Sequence, residues 1–596
     1  MKKPAYKTEW DFANLFYKKS IKDPLIEIDV AAAENMCVGF EKKYTNNQEY
    51  LHDVATLKTA LDDYEILLAG VMSSKPLFYL QMLLAVDSQN NAAQAKMNLL
   101  SSRLTAAFNK IIFFELRLGK VSESQQNKFL QATELKKYKY LLDRLFLTAK
   151  YQLSEPEEKI LNLKYPSSRG MWNDYSEKLL NAQTLVWKGK NLPLPEATNM
   201  IRSLPKKERH ALHTLLCQKL QEISFFAEAE MTAILTDKKT TDELKGFKKP
   251  YESWIIGNQN SIASIENLVT TITKNFNISH KFHALQAKLL KEKTLSYPDR
   301  AVGISKKVTP FAFEEGVSLF TSALKKTDPM FAEIFQKLLK NGQVDVYPRK
   351  GKGGGAFCSS SINQPTMIML NNTPNVDSFF TLAHEMGHAF HGELSKTQSP
   401  MYQDYTISVA EVASTFFENI AVEAISAKLT DKERVELEFQ RLQDDIGTIF
   451  RQVACFNYEI EIHNEVRSKG SITKERLADL HNQHMSKYLG PLYKMKDVDG
   501  YMFVQWTHIR HFFYVYTYAY GQIISKALYA RYKKDPTFIH SIIKFLSAGG
   551  SMSPDDIFKS IGIDTTQPEF FLDGLREVES SIKRIEIMAK KLGMIK

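Results

Sequence analysis

Along most of this chain apolar side chains return every three or four positions rather than every second one, the period of helices with one face turned to a core. The stretch 91–118 is the clearest case, being rich in Ala, Leu and Lys, which are good helix formers. Glu134–Tyr151, Lys206–Leu235 and Ser261–Lys293 repeat the pattern. Strand-like runs are few. The best is Thr366–Leu370, entered through the glycine-rich Gly351–Cys358. No repeat with a period of about 20–50 residues is present. Turn residues cluster at Tyr165–Gly170 and Lys190–Pro195. They predict a helical N-terminal lobe over residues 1–200 and a second domain over 201–596.

A length of 596 residues calls for more than one core, and an apolar share of 44% with a charged share of 24% is that of a globular protein. The formal charge of +10 invites a nucleic-acid reading. The basic residues, however, come as scattered pairs such as Lys18-Lys19 and Lys206-Lys207, with acidic residues between them. No nucleic-acid partner is expected. Four scattered cysteines make no disulfide framework and no CxxC pair. With neither a signal-peptide pattern nor an apolar run of about 18 residues, the expected setting is the cytoplasm, without a membrane partner.

Chemistry enters at Thr381–His391, which holds the pattern HExxH at His384, Glu385 and His388. Two histidines four apart on a helix lie one above the other, about 6 Å along the axis. Both imidazoles can therefore reach one zinc ion. Glu385 points roughly 100° away around the helix, which leaves it free to take a proton from the attacking water. Asn375, Asp377 and Ser378 are available to cap this helix.

Catalytic zinc takes three protein ligands. His391 is on the same face but about 4.5 Å further along the axis, too far for a straight helix to bring to the same ion. A histidine-rich HExxHxxGxxH site would need histidine where Leu394 stands. His391 is thus assigned to support of the ligands or to packing. The third ligand is predicted downstream, at Glu411. There Val409, Val412, Ala413, Phe416, Phe417 and Ile420 mark the buried side of a helix, and Glu411 and Glu418 share its polar stripe. Glu418 then suits a hydrogen-bond acceptor behind a ligand histidine.

The pairing of HExGHxxH with Glu-Val-Ala-Ser-Thr-Phe-Phe-Glu-Asn at 411–419 resembles the thimet oligopeptidase and oligoendopeptidase F family of zinc metallopeptidases, the oligoendopeptidase F branch most of all. Three further stretches agree: Gly351–Cys358, the aromatic run His508–Gly521, and Trp10–Phe16. One departure is Tyr520, where that branch usually carries a small residue. The resemblance implies a mostly α, prolate, two-lobed fold with a deep central channel and a small β-sheet beside one zinc ion per chain. It implies an endopeptidase that cuts internal bonds of short unstructured oligopeptides, with His508 and Tyr514 or Tyr516 stabilising the oxyanion. Gly354, Gly355, Ala356 and Phe357 are expected to let a substrate backbone approach, with Thr366–Leu370 as an edge for strand addition. A phosphate-loop reading of those glycines fails for lack of the Ser or Thr after Gly-Lys. Two alternatives stand beside the endopeptidase: an HExxH zinc carboxypeptidase, and a peptide-binding protein with structural zinc, against which the intact Glu385 argues.

Overall fold

The computed structural model describes residues 6–71, 74–304 and 310–596, so the extreme N-terminus lies outside it. The fold is mostly α, with helices from Leu25–Tyr44 through to Pro568–Lys591 and, among the described residues, three small sheets. The stretches expected from periodicity are helical over most of their length: Glu134–Tyr151 starts in the 3-10 helix Thr133–Tyr138 and continues as Lys139–Ala149, and Ser261–Lys293 holds Ile262–Lys274 and Phe276–Leu289. Residues 91–118 form Asn91–Asn109 and Phe113–Gly119, and 206–235 form Lys206–Glu222 and Ser224–Lys245.

Two compact units emerge, each assembled from three segments. The first comprises Met1–Lys150, Val308–Ala427 and Arg531–Gly562; the second comprises Tyr151–Lys307, Lys428–Ala530 and Ile563–Lys596. Residue 200 lies inside the second unit. The Lys190–Pro195 cluster, expected to be a turn, is in part a strand: Lys190–Pro193 pairs antiparallel with Thr184–Trp187. Its tight connection is Lys188-Gly189, both with positive φ, as a two-residue hairpin requires.

The first unit buries Trp10, Tyr50, Leu57, Leu61, Phe114 and Tyr138 in one core. Among the described residues one stretch, Val54–Val86, is long and apolar enough by composition to cross a bilayer. It is folded as two helices, Val54–Val71 and Lys75–Val86, whose Leu57, Leu61, Leu80 and Met82 are fully buried in this core. Trp10 also donates its indole N–H to the carbonyls of Gln343 and Ile368, tying the N-terminus to a three-stranded sheet.

That sheet corrects one expectation. Met367–Met369 is its central strand, parallel to Val344–Asp345 on one side and antiparallel to Phe357–Ser359 on the other. Both of its hydrogen-bonding edges are occupied, so Thr366–Leu370 cannot accept an added strand. The outer strands are Val344–Asp345 and Phe357–Ser359.

A histidine and glutamate cluster on two paired helices

Two helices of the first unit carry the predicted ligands. Val376–Ser395 starts at Asn375, whose side chain accepts the Ser378 backbone N–H at 2.8 Å. Ile407–Ser426 packs against it, and the apolar side read from the sequence is buried as expected. Phe331, Phe390 and Phe417 form a three-ring cluster with centroids 4.6–5.1 Å apart that locks the two helices together. Between the motif histidines Gly387 lets them approach: a Cβ there would lie 2.5 Å from the Ser414 Cα and 2.9 Å from the Ala413 carbonyl oxygen. This contact, absent from any spacing argument, fixes how Glu411 meets the histidines.

The ligand atoms converge. His384 Nε2 and His388 Nε2 are 3.2 Å apart, and Glu411 Oε2 lies 3.5 Å from the first and 3.8 Å from the second. Bonds of about 2.0–2.1 Å to a tetrahedral zinc put ligand atoms about 3.3 Å apart, so this donor set fits the ion. His384 Nδ1 donates to Glu418 Oε1 at 2.5 Å, which leaves the Nε2 lone pair for a metal. Ser414, one turn after Glu411, donates to its Oε2 at 2.9 Å, and helical spacing alone could have found it.

Charge distribution follows burial and neighbours. Burial would lower the His384 pKa, but the Glu418 hydrogen bond and the Glu418, Glu411 and Glu385 charges outweigh it and raise it to about 9. His388, buried and beside His384, is lowered to about 4. Burial pushes Glu385 up to about 7; His384 opposes this, Glu411 and Glu418 add to it, and the Cys358 backbone N–H opposes it again. Cys358 sits on an outer strand, which puts the small sheet directly beside Glu385.

His391 is 1% exposed, and Tyr405 stacks on it at 3.5 Å and 6°. Among the described residues its Nδ1 has no partner, and burial lowers its pKa to about 3. This position favours packing over support of a ligand. Tyr405 gave no signal in the sequence. Of the expected backbone-approach residues, Gly354 and Gly355 are exposed with open space where a side chain would stand, Ala356 is half-buried, and Phe357 packs edge-on against Trp10.

The description Peptidase family M3 matches residues 316–577, and Oligopeptidase F matches residues 117–183. Over residues 316–577 the chain is similar to peptidase family M3. Among its relatives, the group B oligopeptidase PepB of Streptococcus agalactiae is 23% identical over 608 residues, covering 98% of each chain. An oligoendopeptidase F homolog of Borreliella burgdorferi is 26% identical, covering 82% of this chain and 84% of its own. In fold it is similar to a putative peptidase from Chlamydophila abortus (TM-score 0.85, 20% identity, 98% of both chains) and to oligoendopeptidase-F from Enterococcus faecium (TM-score 0.69, 19% identity, 95% and 99%).

The M3 match takes in the aromatic run, which lies in the second unit. His508 Nδ1 is hydrogen-bonded to the Tyr514 hydroxyl, and Tyr514 is half-buried. Tyr516 is fully buried and its hydroxyl donates to Asn260 Oδ1 at 2.9 Å. Burial, with Arg451 and His511 nearby, lowers His508 to about 4. Between the two groups Phe512 and Phe513 both adopt left-handed backbone, with φ of 53° and 54°. Such strain in consecutive bulky residues persists only when the surroundings impose it. Here the buried Glu459 carboxyl accepts the Phe513 N–H at 2.8 Å.

A second cluster of metal-binding residue types, His213, Cys217 and Asp499, is buried in the second unit. His213 Nε2 lies 2.9 Å from Asp499 Oδ1 and 3.3 Å from Cys217 Sγ. One ring nitrogen serves both neighbours, and burial pushes the thiol pKa up. This is hydrogen-bonded packing rather than a thiolate site.

Proposed function

We propose that this chain is a zinc-dependent endopeptidase that hydrolyses internal peptide bonds of short unstructured oligopeptides. The observation that carries the reading is the convergence of His384 Nε2, His388 Nε2 and Glu411 Oε2 beside a buried Glu385 carboxyl. When bound, zinc supplies a Lewis acid that polarises the scissile carbonyl and brings the pKa of a coordinated water towards about 7. Glu418 holds His384 in the tautomer that leaves Nε2 free. Glu385, poised near neutral pH by burial, takes a proton from the attacking water and delivers it to the leaving amine. Tyr514 is the proposed donor to the developing oxyanion, with His508 as its hydrogen-bonded partner; the committed hydroxyl of Tyr516 suits that task less well. Gly354 and Gly355, exposed and without side chains, suit the close passage of a substrate backbone.

Oligopeptides are the only partners in this reading, and neither nucleic acid nor membrane has a part. Its setting is the cytoplasm, which suits four free cysteines. The resemblance-implied channel accounts for a limit to short unstructured chains, so a folded protein should be left intact. The test is to incubate the zinc-loaded protein with a mixed peptide pool and identify products by mass spectrometry. Internal cuts abolished by a chelator and restored by zinc are expected. Products trimmed only from one terminus would replace the endopeptidase with an exopeptidase, and an untouched pool would remove the enzyme altogether.

A further inference from the structure

The second unit contains a cavity of roughly 700 Å³ whose wall is built around two arginines. The Arg300 guanidinium lies over the Tyr297 ring at 4.0 Å, and that of Arg451 over the Trp506 ring at 4.8 Å. His481 sits between these pairs, edge-on to both, at 5.8 Å from Tyr297 and 5.5 Å from Trp506. Cations and rings thus form one continuous surface. Stacking keeps a guanidinium in place while leaving its in-plane N–H groups available.

Part of that donor capacity is unused. Arg300 donates to the Tyr297 carbonyl, and among the described residues Arg451 Nε has no partner and neither guanidinium has a carboxylate at ion-pair distance. Among the described residues, His481, 1% exposed, has no partner at Nδ1, and Trp506, 7% exposed, none at its indole N–H. The same cavity shows what a satisfied arginine looks like. Arg510 forks onto Glu230 with contacts of 2.6 and 2.7 Å. Buried donors without acceptors carry a desolvation cost that a bound anion would remove.

The wall is not uniformly basic. Arg300 and Arg451 both act on His481, and Asp174 and Glu177 line the same cavity from the helix Arg169–Ala182. Two arginines and two carboxylates cancel, so a multiply charged anion such as phosphate is disfavoured and a singly charged group on a longer neutral chain is suited. Asn173 Oδ1, buried on the same wall without a partner among the described residues, can accept an amide N–H.

We propose that this cavity binds the C-terminal end of a peptide, with its carboxylate between Arg300 and Arg451 and a preceding backbone amide at Asn173. The identity of the ligand rests on the peptidase reading; the anion-accepting wall does not. The test is calorimetric binding to the zinc-loaded chain carrying Glu385→Gln, so that affinity is read without turnover. A pentapeptide free acid should bind on the order of 10-fold more tightly than its C-terminal amide, the scale of one charge-assisted hydrogen bond. Adding Arg300→Gln or Arg451→Gln should bring the acid down to the affinity of the amide. The amide affinity, unchanged by either substitution, reports that the fold is intact. Equal binding of acid and amide overturns the proposal, as does discrimination that survives both substitutions. Displacement of the acid by millimolar phosphate also overturns it, in favour of a general oxyanion site. If the unsubstituted protein cleaves no peptide yet the discrimination holds, the endopeptidase reading falls and the cavity assignment stands.

Discussion

His384 Nδ1 donates to Glu418 Oε1 at 2.5 Å, joining the first ligand of one helix to a carboxylate two turns beyond the third ligand on the next. The bond orients the ring and makes Nε2 the free donor. Carboxylate partners behind ligand histidines typically contribute about 10–100-fold to metal affinity or activity. Glu418→Gln should therefore weaken zinc binding by about that factor, read by competition with a calibrated chelator. An unchanged affinity would mean that the Glu418 charge does not tune the site.

The same bond predicts proton release. Without metal, the His384 pKa is raised from 6.5 to about 9, so the ring is protonated at pH 7. Zinc needs the Nε2 lone pair and must expel that proton. Calorimetry at pH 7 in buffers of different ionisation enthalpy should show release of about one proton or more per zinc. Affinity should rise with pH up to about 9 and fall as the pH drops. A buffer-independent heat would contradict this assignment.

Gly387→Ala tests the contact between the motif helices. With the Ser414 Cα 2.5 Å from the added carbon, one helix must move. Overpacking of this kind costs about 1–3 kcal/mol. A lower melting temperature and looser zinc binding are expected together, and a variant normal in both would show that the helices separate freely.

Much of this centre was legible because helical spacing is rigid. Four-residue spacing stacked His384 on His388, the axial rise removed His391, and seven-residue spacing put Glu418 on the stripe of Glu411. Asn375, Asp377 and Ser378 each offered a helix cap, and Asn375 is the one that supplies it. What stayed hidden depends on elements distant in sequence. The partner that makes Met367–Met369 a central strand is Val344–Asp345, two residues long and too short to show a period. Nothing local pairs Tyr405 with His391, or sets Arg300 and Arg451 around His481. The prolines and flanking residues of Lys190–Pro195 suggest a turn, yet a two-residue hairpin entering the strand Lys190–Pro193 uses the same chemistry.

The two tyrosines should separate cleanly. Tyr514→Phe removes the proposed oxyanion donor and should lower kcat by about 10²–10³ with little change in KM or melting temperature. Tyr516→Phe removes a buried hydrogen bond to Asn260 and should cost about 1–3 kcal/mol of stability with near-normal turnover. The reverse pattern would move the donor to Tyr516, and wild-type turnover in both would take the aromatic run out of the chemistry.

The central claim is that Glu385 is the base beside a metal held by His384, His388 and Glu411. The direct measurement is kcat and zinc content on one preparation of Glu385→Gln, which keeps the shape of the side chain and removes the proton acceptor. Zinc should remain at about one per chain while kcat falls by about 10²–10⁴. Full turnover with zinc in place would contradict the account, and so would loss of zinc along with activity, since that would make Glu385 part of the metal cage rather than the base beside it.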